Sequence, residues 1–187
     1  MSSAREMSDG ELVGRVSGGD ETAFREILRR YRERVLAICL RMLKNRTEAE
    51  EAAQDSFVKA YYHLESFDKS RDFSAWLAGI AINECRDRLR KRSRFRKLFR
   101  EIPENDLGSR QVSQDEDYES KVRIRAIENA IEQLPEKLRE VLVLRAYADY
   151  SYEEIAGILN IEIGTVMSRL HRSRAKLTEI IKRGTRQ

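Results

Sequence analysis

The chain has 187 residues, enough for one medium domain or two small ones. It contains only nine glycines and two prolines, fewer than a strand-rich fold with many turns requires, so a helical protein is expected. Hydrophobic residues make up 41% and charged residues 36%, which predicts small cores beneath a heavily charged surface. No apolar run is long enough to cross a membrane and no signal peptide opens the chain. These features predict a cytoplasmic protein without membrane insertion.

Charge is unevenly distributed along the chain. Residues 1–100 contain 22 Lys and Arg against 16 Asp and Glu, which is net +6. Residues 101–120 contain one Arg against seven Asp and Glu (net −6), and residues 121–187 contain 13 Lys and Arg against nine Asp and Glu (net +4). Two basic modules that flank an acidic connector indicate a polyanionic partner.

Helical periodicity runs through most of the first hundred residues. A long helix is predicted to begin after Asp20, a suitable N-cap, and to end at Asn45. The next helix is predicted to begin with Thr47 as its cap, because Thr47 and Glu50 have the spacing of a capping box. A third helix follows the loop ESFDKSRD and becomes intensely basic, with nine Lys and Arg in residues 86–100.

The middle of the chain lacks this periodicity and predicts a flexible acidic linker. Helices are expected to resume near Tyr118, and Pro135 stands where a further helix would begin. The predicted organisation is all-α, with a small domain at residues 1–97, a linker at residues 98–120 and a second small domain at residues 121–187.

The stretch SYEEIAGILNIEIGTVMSRLHR, residues 151–172, predicts two short helices joined by a tight corner. Ser151 and Glu154 match a capping box, and Asn160 can adopt the left-handed conformation that ends a helix. The second helix is expected to start near Gly164. This is the helix-turn-helix plan, in which the second helix enters the major groove of DNA.

The second helix of this pair has one apolar side and one basic side. At about 100° per residue, Val166, Leu170 and Leu177 fall in one sector, which should face the core. The remaining surface supplies the candidate DNA-binding residues, which are Thr165, Met167, Ser168, Arg169, His171, Arg172, Arg174 and Lys176. Ser168, His171 and Arg172 are expected to face bases, while the cations at 169, 174 and 176 face phosphates. A solvated basic helix that closes a bundle is the competing interpretation.

Longer blocks of the sequence resemble a known family. LPEKLREVLVLRAYADYSYEEIAGILNIEIGTVMSRLHRSRAKL resembles the promoter −35-binding domain of bacterial sigma factors, and AEEAAQDSFVKAYYHLESF and FSAWLAGIAINECRDRLRKR resemble their other domain. The blocks occur in family order and span nearly the whole chain, as in the two-domain extracytoplasmic-function (ECF, group 4) class. The resemblance implies an alternative sigma subunit that binds core RNA polymerase and directs promoter recognition, local melting and transcription initiation.

The resemblance also implies two sets of contact residues in the N-terminal half. The helix AEEAAQDSFVKAY corresponds to the part that grips the largest polymerase subunit, through Glu51, Gln54, Asp55, Phe57 and Tyr61. For the two aromatic residues, which share the apolar stripe, a purely core role is equally compatible. The −10 reader corresponds to the loop at residues 65–73 and the next helix, with the candidates Phe67, Lys69, Ser70, Asn83, Arg86, Arg88 and Arg90.

The family resemblance further implies an anti-sigma factor as a partner and a monomer in the free state. A stand-alone helix-turn-helix regulator is the alternative, but no receiver-like alternation of strands and helices is visible. A nucleic-acid enzyme is a weaker alternative, because no Walker loop or nucleophile motif occurs. Cys39 and Cys85 lack metal-type spacing, so buried, reduced thiols are expected. The sequence therefore predicts no catalytic residue, no metal site and no cofactor.

Overall fold

In the computed structural model, residues 7–98 and 126–184 are described, and they form helices without any strand. The prediction of an all-α fold is confirmed. The predicted linker lies outside the described residues apart from Leu98, and so does the helix start expected near Tyr118. The helices are α1 (Asp9–Ser17), α2 (Glu21–Leu43), α3 (Arg46–His63), α4 (Phe73–Leu98), α5 (described over 126–132), α6 (Glu136–Ala146), α7 (Tyr152–Leu159) and α8 (Ile163–Gly184), with a 3-10 turn at Leu64–Ser66.

The N-terminal domain, α1–α4, is built on three mutually packed helices, α2, α3 and α4, with α1 crossing α2. Its apolar stripes meet in a core where Leu12, Ile38 and Leu77 are fully buried. Cys39 of α2 and Cys85 of α4 are free thiols within this core, as the apolar surroundings of both cysteines predict.

The junction between α2 and α3 differs from the sequence prediction. Lys44 ends α2 in a left-handed conformation (φ 67°), so α2 stops two residues before the expected end at Asn45. Asn45 then adopts extended backbone and becomes the N-cap of α3, and its side-chain oxygen accepts a hydrogen bond from the Glu48 amide at 3.0 Å. The predicted capping box of Thr47 and Glu50 is therefore wrong.

A short helix that the sequence analysis did not predict precedes α2. Its N-terminus is a complete capping box: the Ser8 side chain accepts from the Glu11 amide, and the Glu11 carboxylate accepts from the Ser8 amide at 2.7 Å. The same serine-to-glutamate spacing was used to place α7, so this signal was present in the sequence.

The C-terminal domain, α5–α8, folds around the residues that the periodicity indicates. Pro135 is the N-cap of α6, in agreement with the prediction that a helix starts there. Val166 and Leu170 of α8 are buried against Ile155 of α7, while Leu177 packs in a second small cluster with Ile131. The buried apolar side chains of this domain continue into those of the N-terminal domain. Among the helices at 7–98 and 126–184, none is long and apolar enough to span a membrane.

Candidate nucleic-acid and polymerase interfaces

The corner between α7 and α8 is formed as the sequence predicts. Ser151 and Glu154 make a reciprocal capping box that begins α7 at Tyr152. Asn160 ends α7 in the left-handed conformation (φ 52°, ψ 56°), which a short polar side chain adopts more readily than a bulky one. Helix α8 begins at Ile163, three residues later. The pair therefore has the helix-turn-helix arrangement.

The outward face of α8 is open along its first three turns. Ser168, His171, Arg172 and Arg174 are exposed, and Thr165, Arg169 and Lys176 are partly exposed. Met167 is 55% exposed and lies one turn after Ile163, which is 41% exposed. Ile163 was not among the predicted residues. Apolar side chains next to cations suit the thymine methyl group and the phosphates that border it.

Two of the candidate DNA-binding cations on α8 have partners within the helix. Arg172 donates from Nε to the Ser168 carbonyl oxygen (3.3 Å) and from Nη2 to the Ser168 hydroxyl oxygen (3.4 Å). These contacts are long and exposed, so little energy opposes a turn of the guanidinium toward a base. Lys176 forms an ion pair with Glu179 at 2.8 Å, which lowers the pKa of that carboxyl group.

The loop between α3 and α4 rests on an aromatic cluster. Phe67 is buried to 6% exposure, and its ring lies 5.4 Å from that of Phe73 and 5.0 Å from that of Trp76. Phe67 therefore packs in the core beneath the loop and fixes the position of the loop. Lys69 and Ser70, by contrast, are exposed on the loop itself.

One face of α4 carries three of the predicted −10 residues. Asn83, Arg86 and Arg90 are separated by three and four positions, so they follow one stripe along the helix. Asn83 and Arg90 are exposed, and Arg90 pairs with Asp87 at 2.7 Å. Arg86 donates to the Asn83 side-chain oxygen (3.2 Å) and also contacts the C-terminal domain.

Arg88 lies on the other side of α4 and is surrounded by carboxylates. Its guanidinium pairs with Glu84 at 2.9 Å, with Glu51 at 3.1 Å and with Asp55. Lys59 pairs with Glu84 as well, at 2.5 Å. Burial raises the pKa of Glu84, but the hydrogen bonds from these two cations outweigh it and hold that pKa below its usual value. The network joins a predicted DNA-binding cation to two predicted polymerase-binding acids.

The outer face of α3 presents both charge and apolar surface. Glu51, Gln54 and Asp55 are exposed, whereas Phe57 is buried in the core. Tyr61 is 45% exposed and packs edge-on against Phe24, with ring centroids 5.0 Å apart.

Two residues of this face were missed in the sequence analysis. Tyr62 is 77% exposed, next to a half-exposed Val58. Exposed aromatic and apolar side chains grouped on one helical face are typical of a protein-binding surface.

Within the described ranges, no group of three or more His, Cys, Asp and Glu side chains could hold a metal ion. His63 lies at the end of α3 and His171 lies on the outward face of α8.

Two family models match the chain, in the order that the sequence blocks suggest. Sigma-70 region 2 matches residues 27–95, which include α3 and nearly all of α4. Sigma-70 region 4 matches residues 124–177, which include the helix-turn-helix.

Relatives are similar over almost their whole length. The ECF RNA polymerase sigma factor SigW of Bacillus subtilis is 38% identical over 179 residues, covering 92% of this chain and 96% of the relative. The RNA polymerase sigma-H factor of Pseudomonas aeruginosa is 33% identical over 180 residues, covering 92% and 93%. Among solved structures, the sigma factor RpoE of Bartonella quintana, in complex with the anti-sigma factor NepR, is 26% identical with a TM-score of 0.73, covering 85% of this chain and 96% of that one. The chain therefore belongs to the ECF family of RNA polymerase sigma factors, the subunits that direct transcription initiation.

Proposed function

We propose that this chain is a two-domain, group 4 ECF sigma factor that presents three separate faces to its partners. The outward face of α8 binds the −35 element, the loop after α3 together with α4 binds the −10 element, and the outer face of α3 binds core RNA polymerase. The observation that carries the proposal is the open face of α8, where Ser168, His171 and Arg172 are exposed above a core of Val166 and Leu170.

On α8, Arg172 is the residue best suited to read a base. Its guanidinium can donate two parallel hydrogen bonds to a guanine edge, and its present partner, Ser168, lies on the same exposed face. Thr165 and Met167 lie nearer the helix N-terminus, where a recognition helix contacts bases. Arg169, Arg174 and Lys176 flank this surface and supply phosphate contacts, which position the helix without reading sequence.

On the N-terminal domain, Lys69, Ser70 and Asn83 offer exposed polar groups to an unpaired base. Arg86 and Arg90 follow the strand along α4, and Phe67 holds the loop in place from the core. Arg88 serves both the −10-binding face and the polymerase-binding face, because it lies on α4 and its partners Glu51 and Asp55 belong to the polymerase-binding surface of α3.

On α3, Glu51, Gln54 and Asp55 provide the polar contacts to polymerase and Tyr61 lies at their edge. The exposed Tyr62 adds apolar area, and aromatic residues are enriched among those that dominate binding energy. Phe57 acts from the core by fixing the position of α3.

In this proposal the chain itself catalyses no reaction. It acts in the cytoplasm and is a monomer until it binds core polymerase. The solved relative in complex with NepR supports an anti-sigma factor as a further partner, which would cover the polymerase-binding or DNA-binding faces.

In vitro transcription from sheared DNA of the source genome tests the proposal. Core polymerase with this protein should produce discrete transcripts whose upstream DNA shares two spaced motifs, and core polymerase alone should not. Arg172→Ala should abolish most of this stimulation, since one bidentate base contact is worth about 1–3 kcal/mol of discrimination. Arg183→Ala, at the far end of α8 where Arg183 pairs with Glu179, is the matched control and should transcribe normally.

Two results would reject the proposal. If the protein binds duplex DNA tightly by itself and does not stimulate polymerase, it is a stand-alone helix-turn-helix regulator. If Arg172→Ala and Arg183→Ala behave alike, the recognition face has been placed wrongly on α8.

A further inference from the structure

Helix α1 lies next to the loop between α3 and α4. It contacts the 3-10 turn that opens this loop. Leu12 and Val13 of α1 are buried in the same apolar cluster as Leu64 and Phe67, which stand at the start of the loop. The whole of α1 precedes residue 27, where the match to sigma-70 region 2 begins.

The tip of the loop is a tight turn that places one cation against α1. The Asp68 carboxylate accepts hydrogen bonds from the Ser70 amide (3.0 Å) and the Ser70 hydroxyl (2.7 Å), and the Arg71 amide donates to the Asp68 carbonyl oxygen (2.9 Å). Lys69 lies within this turn, and its ammonium nitrogen is 4.0 Å from the position that a Cβ atom would take at Gly14 of α1. Gly14 belongs to the last turn of α1, where the carbonyl ends of a helix favour a nearby cation.

A second glycine of α1 has no such neighbour. Gly10 is exposed one turn before Gly14, and a Cβ atom added at Gly10 would meet no atom within 4 Å. Glycine in a helix interior is less favourable than alanine by about 0.5–1 kcal/mol, so helix propensity alone favours a larger residue at either position. The neighbouring Lys69 ammonium therefore distinguishes Gly14 from Gly10.

The start of α1 is tied to the aromatic base of the same loop. The Asp9 carboxylate accepts hydrogen bonds from the Arg30 guanidinium (3.0 Å) and from the Tyr31 hydroxyl. Burial and this carboxylate raise the pKa of Tyr31, so its hydroxyl stays protonated and donates. The Tyr31 ring lies 5.5 Å from that of Phe73, which in turn lies 5.4 Å from that of Phe67.

We propose that α1 positions the −10 loop: Gly14 leaves the space beside which the Lys69 ammonium lies, and Asp9 fixes the aromatic base of the loop through Tyr31. Gly14 and Asp9 are then positioning residues for the single-stranded DNA of the −10 element. A lysine held against α1 has less side-chain freedom to lose when DNA binds, which favours binding. This inference rests on the proposed function, since it takes Lys69 as a contact of the −10 strand.

The affinity of the complex of core polymerase and the full-length chain for single-stranded DNA tests the role of Gly14. The probe is a labelled non-template oligonucleotide that carries the −10 motif recovered by the transcription experiment above. Gly14→Leu should weaken its binding about tenfold, the loss expected when one contact from a charged group is removed. Gly10→Leu makes the same change one turn earlier and should alter the affinity less than about twofold.

Stability and polymerase affinity separate this effect from a general structural defect. Gly14→Leu should leave the thermal unfolding temperature and the affinity for core polymerase unchanged, because the far end of a lysine side chain moves aside at little cost. Tyr31→Phe keeps the ring against Phe73 but removes the hydrogen bond to Asp9. It should weaken oligonucleotide binding about threefold at a temperature where circular dichroism shows the chain to be folded.

A double substitution shows whether Gly14 acts through Lys69. Lys69→Ala should weaken oligonucleotide binding by itself. Gly14→Leu should add nothing in the Lys69→Ala background, because both substitutions remove the same contact.

The outcomes distinguish the inference from the proposed function. Equal affinities of Gly14→Leu and Gly10→Leu would overturn the role of Gly14, and so would a further loss caused by Gly14→Leu in the Lys69→Ala background. Wild-type affinity in Tyr31→Phe would overturn the role of Asp9. If Lys69→Ala binds the oligonucleotide as the wild type does, the error lies in the assignment of Lys69 to the −10 strand, which is part of the proposed function.

Discussion

Removal of the Arg139 guanidinium should destabilise the chain more than any other single loss of charge on α6. Arg139 is only 7% exposed, and it donates to four backbone carbonyl oxygens: those of Ile131 (3.2 Å), Glu132 (2.7 Å), Leu134 (2.9 Å) and Met42 (2.9 Å). The Ile131 and Glu132 carbonyls end α5, the Leu134 carbonyl follows it, and the Met42 carbonyl lies near the end of α2, where a helix supplies few partners of its own. The Ile131 oxygen also accepts from the Leu134 amide (3.1 Å), so it would keep one partner. One side chain therefore satisfies the ends of two helices from different domains.

The size of the destabilisation follows from the number of carbonyl oxygens that would lose their hydrogen-bond donor. Arg139→Met keeps the aliphatic stem but removes every donor. A buried acceptor left without a partner costs about 1–3 kcal/mol, and neighbouring losses do not add fully. Water can reach Glu132, and the desolvation cost of the buried charge disappears, which offsets part of the loss. The expected decrease in the free energy of unfolding is about 2–4 kcal/mol.

Urea denaturation followed by circular dichroism measures this decrease, with Arg145→Met as the matched control. Arg145 lies on the same helix but is exposed, with one carbonyl contact to Tyr150 at 3.1 Å and a ring contact with Tyr152. Its loss should cost about 1 kcal/mol or less. Equal effects of the two substitutions, or a loss below about 1 kcal/mol for Arg139→Met, would refute the reasoning.

Three further predictions concern single residues. Hydrogen bonds from Arg29 and Arg30 lower the pKa of Glu26 from 4.5 to about 2. The ionised carboxylate therefore stabilises the fold above its ordinary pKa of 4.5, and this stabilisation is lost as the pH falls through about 2, its pKa in the folded chain. Glu26→Gln should therefore flatten the acid dependence of urea-measured stability between about pH 5 and about pH 2. Asn160→Val should cost about 1–2 kcal/mol in thermal unfolding because its backbone is left-handed, whereas Asn160→Gly should be neutral or better. Tyr62→Ala should weaken core polymerase binding about tenfold in a competition assay, while Ala at the exposed Glu153 of α7 should not; equal effects would place the polymerase surface elsewhere.

The local features of the fold could be predicted from sequence where one residue type has one good structural role. Asp20, Pro135, Ser151 and Asn160 each stand at the helix boundary that the sequence analysis assigned to them. Prediction failed at α3, because Asn45 and Thr47 are both good caps and the sequence pattern does not rank them. The left-handed Lys44 decides between them by placing Asn45 at the cap position.

The contacts between distant segments could not be predicted from sequence. Periodicity assigned Arg86 and Arg88 to the basic stretch of α4, but it carries no information about a carboxylate 54 residues away at Glu140 or 33 residues away at Asp55. It also did not identify Tyr62 as exposed, because a tyrosine beside an apolar stripe satisfies either a core or a surface position. Such assignments depend on which helices pack together, and that information exists only in the folded chain.

Arg88 and Arg90 allow the two functions of α4 to be separated by substitution. Arg88 is 21% exposed within a network of Glu51, Asp55 and Glu84, while Arg90 is 62% exposed and pairs with Asp87. Arg90→Ala should weaken single-stranded DNA binding and reduce its salt dependence by about one phosphate contact, with polymerase affinity unchanged.

Arg88→Ala should instead lower stability and polymerase affinity together. The loss of this guanidinium leaves the nearly buried Glu84 paired with Lys59 and releases Glu51 and Asp55 of the α3 face from their fixed positions. A DNA-binding defect in Arg88→Ala can therefore be assigned to a lost phosphate contact only if its polymerase affinity is intact. Intact polymerase affinity and stability, combined with a reduced salt dependence like that of Arg90→Ala, would show that Arg88 contacts DNA and that its carboxylate network has little role in the α3 surface.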